Sequence, residues 1–172
     1  MFVAIAAGVV GVAALAVSIY ETHLMREQQR AEVWPILEAW TTFEPGRMFA
    51  LNVANKGIGP AILKSVTVAV DGEPVQSWSE VLTRTLGTDS VDYGMSAVTG
   101  NVIAAGESVT LISLLSEDHV RSVWEASQRV SLELCYCSVF KECWLHSLAN
   151  LRDGVPRTEE TGACETKPSG GF

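Results

Sequence analysis

The pattern of apolar and polar positions changes twice along the chain, and its first section is an unbroken apolar run. Residues 2–20 carry no charged side chain, and Ser18 is the only overtly polar one before the phenol of Tyr20. At about 1.5 Å per residue, a helix of this length is roughly 28 Å long, enough to cross the hydrocarbon core of a bilayer. The run therefore predicts a transmembrane anchor over residues 1–20, in contact with the lipid bilayer through residues 2–20.

A secretory signal peptide is the alternative interpretation of the same run. Ala14-Leu15-Ala16 would serve as its small-residue cleavage site. Signal peptides, however, begin with a positively charged segment and have a shorter apolar core. Because no charged side chain precedes the run and its apolar character continues through Ile19, we favour an uncleaved anchor.

A polar helical section follows the apolar run. Residues 21–34 are built almost wholly from good helix formers and predict a juxtamembrane stalk. The stalk ends at Trp34-Pro35, because a residue before proline is forced into extended geometry. Arg26 and Arg30 lie in this section and no Lys or Arg precedes the apolar run. The positive-inside rule therefore places the C-terminal domain in the cytoplasm.

Small residues recur four positions apart in the apolar run, which is the spacing of one helical turn. The pairs are Ala4 with Gly8 and Ala7 with Gly11. Such a face allows two membrane helices to pack closely, and we expect a weak homodimer through this helix. The alternative is the ordinary enrichment of alanine and glycine in membrane helices.

From Pro35 onward the helical pattern changes to alternation with a period of two, typical of strands that bury one face. It predicts strands over residues 36–43, 48–55, 61–70, 102–103, 108–115, 130–139 and 143–148. Two helical segments interrupt them, residues 78–86 and 117–128, with Ser77 and Ser116 as the respective N-caps. Glu80 stands three residues after Ser77, the spacing of a capping box.

Short alternating strands joined by turns predict a mainly β domain over residues 35–149. We expect an immunoglobulin-like β-sandwich with one or two short crossover helices, and a two-layer α+β domain is the alternative. Residues 150–172 mix glycine, proline, threonine and glutamate without periodicity. They predict a disordered C-terminal tail.

The charge balance excludes one class of partner. The chain of 172 residues has 12 Lys and Arg against 20 Asp and Glu, a net charge of −8. Nucleic acids are bound through basic patches that neutralise phosphates. We therefore expect no nucleic acid partner.

One loop carries a distinctive group of turn-forming residues. Asn55, Gly57, Gly59 and Pro60 follow the second strand. Glycine permits positive φ, proline fixes φ, and the asparagine can hydrogen-bond nearby backbone, so we interpret the loop as structural. An anion-binding nest of backbone amides is the alternative, although the spacing departs from that of a P-loop.

The only candidate metal ligands that cluster in the sequence are Cys135, Cys137, Cys143 and His146. Three thiolates and an imidazole would suit tetrahedral zinc, although structural zinc sites usually use cysteine pairs with two to four residues between them, and only Tyr136 separates Cys135 from Cys137. Buried free thiols are the favoured interpretation for a cytoplasmic domain. A Cys137–Cys143 disulfide is the interpretation if the domain faces outward.

Several segments together resemble a known group of proteins. They are the Val53-x-Asn55-x-Gly57-x-Gly59-Pro60-Ala61 loop, the apolar N-terminus, Trp34-Pro35 and the late Cys137-Ser138-Val139-Phe140 and Cys143-Trp144 segments. This combination resembles uncharacterised bacterial single-pass membrane proteins with an immunoglobulin-like β-sandwich domain. The resemblance covers most of the chain and implies the bacterial inner membrane, with a periplasmic domain as the alternative topology. It brings no known activity or catalytic residues.

No catalytic constellation stands out in the sequence. No cysteine or serine lies in a nucleophile elbow, and the carboxylates are scattered singly. We therefore expect a non-catalytic, membrane-anchored module for protein–protein interaction, with a protein partner and no cofactor. The alternative is a metal-binding or thiol redox-responsive membrane protein that uses Cys135, Cys137, Cys143 and His146, in which zinc would be the cofactor.

Overall fold

The chain divides into a helical unit that ends at Val33 and a mainly β unit that begins at Trp34. The structure is a computed structural model that describes residues 2–88, 90–115, 117–165 and 172; the side chains of residues 2–7, 9, 117 and 118 are not described. The helices are α1 (Phe2–Ala31), α2 (Trp78–Leu86) and α3 (Glu117–Ala126), and a 3-10 turn spans Ser127–Arg129. The strands are β1 (Leu37–Glu44), β2 (Met48–Asn55), β3 (Ala61–Val70), β4 (Glu73–Val75), β5 (Gly94–Met95), β6 (Val102–Ile103), β7 (Ser108–Leu114), β8 (Val130–Cys137), β9 (Cys143–Leu148) and β10 (Arg157–Thr161).

The first unit is the single helix α1. It covers residues 2–20 of the predicted anchor and residues 21–31 of the predicted stalk, and it ends three residues before Trp34, where the sequence predicts the break. Among the side chains that the structure describes, no helix combines the length and the apolar character required to span a membrane. Gly8 and Gly11 are exposed on α1, whereas the side chains of Ala4 and Ala7 lie outside the described part of the chain.

The second unit contains two antiparallel sheets. The first has the strand order β1-β2-β7-β5. The second has the order β10-β9-β8-β3-β4, and β6 pairs with β3 at the Ala61–Ile62 end. The tight turn between β3 and β4 has positive φ at Asp71 (52°) and Gly72 (84°), as a two-residue hairpin requires.

The two sheets share one hydrophobic core. Leu51, Val53 and Leu114 of the first sheet are fully buried together with Leu63 and Leu132 of the second. Along β3, buried residues alternate with half-buried ones, except next to the register shift between Leu63 and Ser65. The predicted mainly β class is confirmed, and two antiparallel sheets around one core are compatible with a β-sandwich.

The helix α2 begins and ends where its capping residues predict. The Ser77 side chain accepts a hydrogen bond from the Glu80 amide at 3.2 Å, which confirms the predicted N-cap. Gly87 ends the helix with φ of 73° and donates its amide to Thr83 O. Trp78, at the start of α2, is buried and meets the ring of Phe172 edge-on at 5.0 Å. The other predicted N-cap, Ser116, lies outside the described residues.

The predicted disordered tail needs a correction. Within residues 150–172, Arg157–Thr161 form β10, which pairs antiparallel with β9 at the edge of the second sheet. Earlier in the same segment, Leu151 is buried and donates its amide to Val130 O at 2.9 Å. Four of the five side chains of β10 are exposed, so the strand is held by backbone pairing and carries no apolar alternation. This is why the sequence pattern did not reveal it.

Candidate functional site

Asn55, at the end of β2, is completely buried and all four hydrogen-bonding positions of its side-chain amide are used. Its Oδ1 accepts hydrogen bonds from the amides of Ile36 at 3.2 Å and Gly57 at 3.0 Å. Its Nδ2 donates to the carbonyls of Gly59 at 2.7 Å and Ile103 at 3.0 Å. One side chain therefore joins the residue before β1, the following loop and β6. The predicted hydrogen bonding of Asn55 to nearby backbone is confirmed.

Backbone hydrogen bonds hold the same loop against the first residues of the β unit. The Lys56 amide donates to Ile36 O at 2.7 Å, and Trp34 O accepts from the amides of Ile58 at 3.0 Å and Gly59 at 3.3 Å. Pro60 then leads directly into β3. With its amides directed at carbonyls, the loop supports the structural interpretation over the anion nest.

Gly57 is required for a reason that differs from the predicted one. Its φ lies outside the left-handed region, so positive φ does not explain the glycine. Instead, a Cβ at this position would lie 2.3 Å from Trp34 O and 2.5 Å from Ile36 N. The glycine is needed because the backbone before β1 crosses the loop at contact distance.

The expectation of free thiols is wrong, because all four cysteines of the chain form disulfides. Cys137 in β8 and Cys143 in β9 are register partners and are bonded to each other, with a Cα–Cα distance of 4.0 Å. This is the pairing that the sequence offered as its alternative. Cys135 is bonded to Cys164, which follows β10 and was not among the candidate residues.

His146 does not belong to the cysteine cluster, contrary to the predicted ligand set. It stands three residues after Cys143 on one strand, and an odd spacing places the two side chains on opposite faces. His146 pairs with Leu134, a residue of the core, and its Nδ1 lies 2.9 Å from Thr158 Oγ1. Cys164 takes the fourth position instead. The even number of cysteines is the sequence signal that could have indicated it.

The two disulfides lie directly against each other on the face of β8 and β9 that points away from the core. Cys137 Sγ is 3.7 Å from Cys164 Sγ, although the two are not bonded. The Sγ atoms of Cys137, Cys143 and Cys164 all lie within 4.8 Å of one another. Cys135, Cys137 and Cys143 are buried, and Cys164 is partly buried. The arrangement is a compact group of four sulfur atoms.

A cleft of about 390 Å³ opens beside β1 and is lined by Glu38, Ala39, Trp40, Lys56, His146 and Pro156. The Lys56 ammonium lies 5.8 Å from the centre of the Trp40 ring, within range of a cation–π interaction. His146 is 2% exposed and its Nε2 has no partner within the described part of the chain. Burial lowers the pKa of His146, and the nearby Glu38 carboxylate acts in the opposite direction. Because its Nε2 is enclosed, the imidazole suits packing better than catalysis.

Comparisons of this chain with protein-family models, with curated proteins and with solved structures give no match.

Replacing Gly57 with alanine should destabilise the β unit by about 1–3 kcal/mol, because the new methyl group would overlap the backbone at Trp34 and Ile36. Gly162→Ala is the matched control, since a Cβ there meets nothing within 4 Å and its φ is not positive. Urea denaturation measures the free energy of unfolding of both variants. Equal stabilities for the two variants would show that the close approach at Gly57 is not a constraint.

The His146 imidazole should make the stability of the β unit fall in mild acid. Its folded pKa is lowered from the usual 6.5. As the pH falls through 6.5, the unfolded chain therefore gains the proton first and is stabilised relative to the folded state. Between about pH 7.5 and about pH 5.5, the midpoint of urea unfolding should drop more for the parent than for His146→Gln. If both show the same pH dependence, His146 does not contribute to it.

Proposed function

We propose that this chain is a membrane-anchored, non-catalytic module for protein–protein interaction at the bacterial inner membrane. In this proposal residues 2–20 lie in the bilayer, residues 21–34 form the stalk, and the β unit, of immunoglobulin-like sandwich type, holds a protein partner. The uncharged run of residues 2–20 supports the anchor, since its length as a helix matches the thickness of the hydrocarbon core. The small residues Ala4, Ala7, Gly8 and Gly11 support a weak homodimer through the same helix.

The observation that carries the interaction proposal is a group of exposed apolar side chains around the start of the β unit. Trp34 is 52% exposed, Ile36 45%, Trp40 38% and Ile58 67%. The Ile58 amide donates a hydrogen bond to the Trp34 carbonyl. The Lys56 amide donates to the Ile36 carbonyl, and the Lys56 ammonium lies over the Trp40 ring. We call these four residues the apolar patch.

Several features suit the apolar patch to a protein partner. Aromatic residues are enriched in protein interfaces, and contiguous exposed apolar residues mark such surfaces. The patch is also held rigidly, because Asn55 and the Trp34 carbonyl fix the backbone beneath it. The Trp34 ring stacks on Trp144 of β9 at 5.8 Å, which fixes its orientation. A rigid patch loses little conformational entropy when a partner binds.

The disulfides support a periplasmic position for the β unit, the alternative to the cytoplasmic topology predicted from Arg26 and Arg30. Disulfides persist in oxidising compartments and are rare in the cytosol. All four cysteines of this chain are paired. The argument for a cytoplasmic β unit is that two arginines follow the apolar run and none precedes it, which is a small bias for the positive-inside rule. We therefore place the β unit in the periplasm.

A non-catalytic role is supported by the side chains that could carry out chemistry. The thiols are all in disulfides, and the Nε2 of His146 is enclosed. Neither can act as a nucleophile or a general base in this state. A second candidate function is thiol redox response or metal binding at the cysteines, and the observation that favours it is the 3.7 Å between Cys137 Sγ and Cys164 Sγ.

Site-specific photocrosslinking in membranes tests the proposed function. A photoreactive amino acid at Ile58 should crosslink to a partner protein in carbonate-washed membranes. The control places the same photoreactive amino acid at position 115, where we expect no crosslink. Leu115 is similarly exposed, but it follows Leu114, which pairs with Phe49 at the other end of β2. Protease added to intact spheroplasts should digest the β unit.

Three results would contradict parts of the proposal. Loss of the chain from the membranes on carbonate washing would contradict the proposed anchor over residues 2–20. Protection of the β unit from protease would place it in the cytoplasm. Equal crosslinking at positions 58 and 115, or none at either, would remove the apolar patch as the interaction surface.

A further inference from the structure

The four cysteine sulfurs come from three separate segments of the chain and form one connected group. Cys135 and Cys137 point to the same face of β8 because they are two residues apart. Cys143 is the register partner of Cys137 on β9. Cys164 is bonded to Cys135 and at the same time lies 3.7 Å from Cys137 Sγ. It therefore stands between the two cysteines of β8.

The scaffold beneath the sulfurs has supports other than the disulfides. Tyr136 and Trp144 pair across β8 and β9 and direct their rings to the face opposite the cysteines. Both rings are buried, 5.8 Å apart, and the Tyr136 hydroxyl accepts a hydrogen bond from the Leu37 amide at 3.3 Å. Backbone pairing and core packing thus hold Cys135, Cys137 and Cys143 in place when the disulfides open. Antiparallel pairing of β10 with β9 does the same for the segment that precedes Cys164.

One distance between sulfurs of different disulfides already matches that of a tetrahedral thiolate site. Zinc binds thiolates at about 2.3 Å, which places neighbouring sulfurs of a tetrahedron about 3.8 Å apart. The observed 3.7 Å between Cys137 and Cys164 matches this distance. Cys137, Cys143 and Cys164 already lie within 4.8 Å of one another. Opening the disulfides moves the bonded sulfurs apart, in the direction that the tetrahedron requires.

We propose that, once reduced, Cys135, Cys137, Cys143 and Cys164 bind one zinc ion as four thiolates. This inference rests on the second candidate function, whose ligand set it changes by replacing His146 with Cys164. Cys164 is within reach of both cysteines of β8, since it is bonded to Cys135 and its Sγ lies 3.7 Å from Cys137 Sγ. Burial of three of the four sulfurs shields the site from competing ligands.

The zinc form and the disulfide form exclude each other. Each disulfide takes up two electrons and two protons to give two thiols, so two equivalents of a dithiol reductant are consumed and each becomes a disulfide itself. Zinc then displaces four protons as the thiolates bind it. Oxidation by a disulfide oxidant removes four electrons, restores both disulfides and releases the ion. The cluster thus binds zinc when its cysteines are reduced and releases it when they form disulfides.

Zinc titration of the full chain in detergent tests the proposal. The protein is reduced without oxygen by a phosphine, freed of excess reductant, mixed with Zn²⁺, gel-filtered and analysed for bound metal. We expect about one zinc per chain in the reduced parent and in His146→Gln, and none in the unreduced parent. Cys164→Ser should lose the bound zinc during gel filtration. Circular dichroism shows whether this variant keeps the parent's β structure.

Cobalt substitution gives a readout that does not depend on any variant. Co²⁺ bound by four thiolates in the reduced parent should show tetrahedral ligand-field bands together with thiolate-to-cobalt charge transfer. An octahedral spectrum would overturn the proposal, as would equal zinc binding by Cys164→Ser and the parent. Four reactive thiols without bound zinc would overturn the zinc site and leave redox response standing. If both disulfides resist the reductant in the folded protein, the zinc site and the redox response are both overturned.

Discussion

The buried side-chain amide of Asn55 is the interaction on which the rest of the β unit depends. Its four hydrogen bonds join three stretches of backbone that are distant in sequence: the residue before β1, the loop after β2, and β6. Each of these backbone groups is a strong donor or acceptor, and one left unpaired in the interior costs about 1–3 kcal/mol. An asparagine is suited to this position because it offers donors and acceptors from one planar group without a charge.

The Asn55 bonds determine where the chain enters the β unit, and thereby position two other features. The loop passes Trp34 and Ile36 so closely that only glycine fits at position 57. Trp34 is thus held where its ring stacks on Trp144, and Trp144 in turn packs near Tyr136. Tyr136 of β8 and Trp144 of β9 lie on one face of this strand pair, and the disulfide-bonded Cys135, Cys137 and Cys143 lie on the other. Trp34 of the apolar patch therefore packs on the same pair of strands that carries three of the four cysteines.

The sequence was most informative where structure is local. Strands β2, β3, β6 and β9 and helix α2 have the predicted bounds, because alternation, turn residues and the Ser77 cap act within a few residues. The face of His146 was also predictable, since three residues of strand separate it from Cys143. The prediction that groups it with the cysteines is wrong because residues close in sequence on a strand can lie on opposite faces.

The features that the sequence missed depend on contacts between distant segments. Strand β10 has no apolar alternation and is recognisable only from its pairing with β9, so the sequence pattern predicts a disordered tail around Cys164. The role of Gly57 depends on backbone about twenty residues earlier, which no local pattern reveals. Asn55 was correctly assigned to local backbone, but its bond to Ile103 required knowing that β6 lies beside β3.

The most direct test of this account is the free energy of unfolding of Asn55→Ala measured by urea denaturation. Removing the amide leaves four backbone groups of the interior without their partner, so we predict a loss of at least about 2 kcal/mol. Asn101→Ala is the control, because Asn101 is exposed and its side chain donates a hydrogen bond to the nearby Ala97 carbonyl at 2.9 Å. It should change stability by no more than about 0.5 kcal/mol. Equal, small losses in the two variants would contradict the claim that Asn55 holds the β unit together.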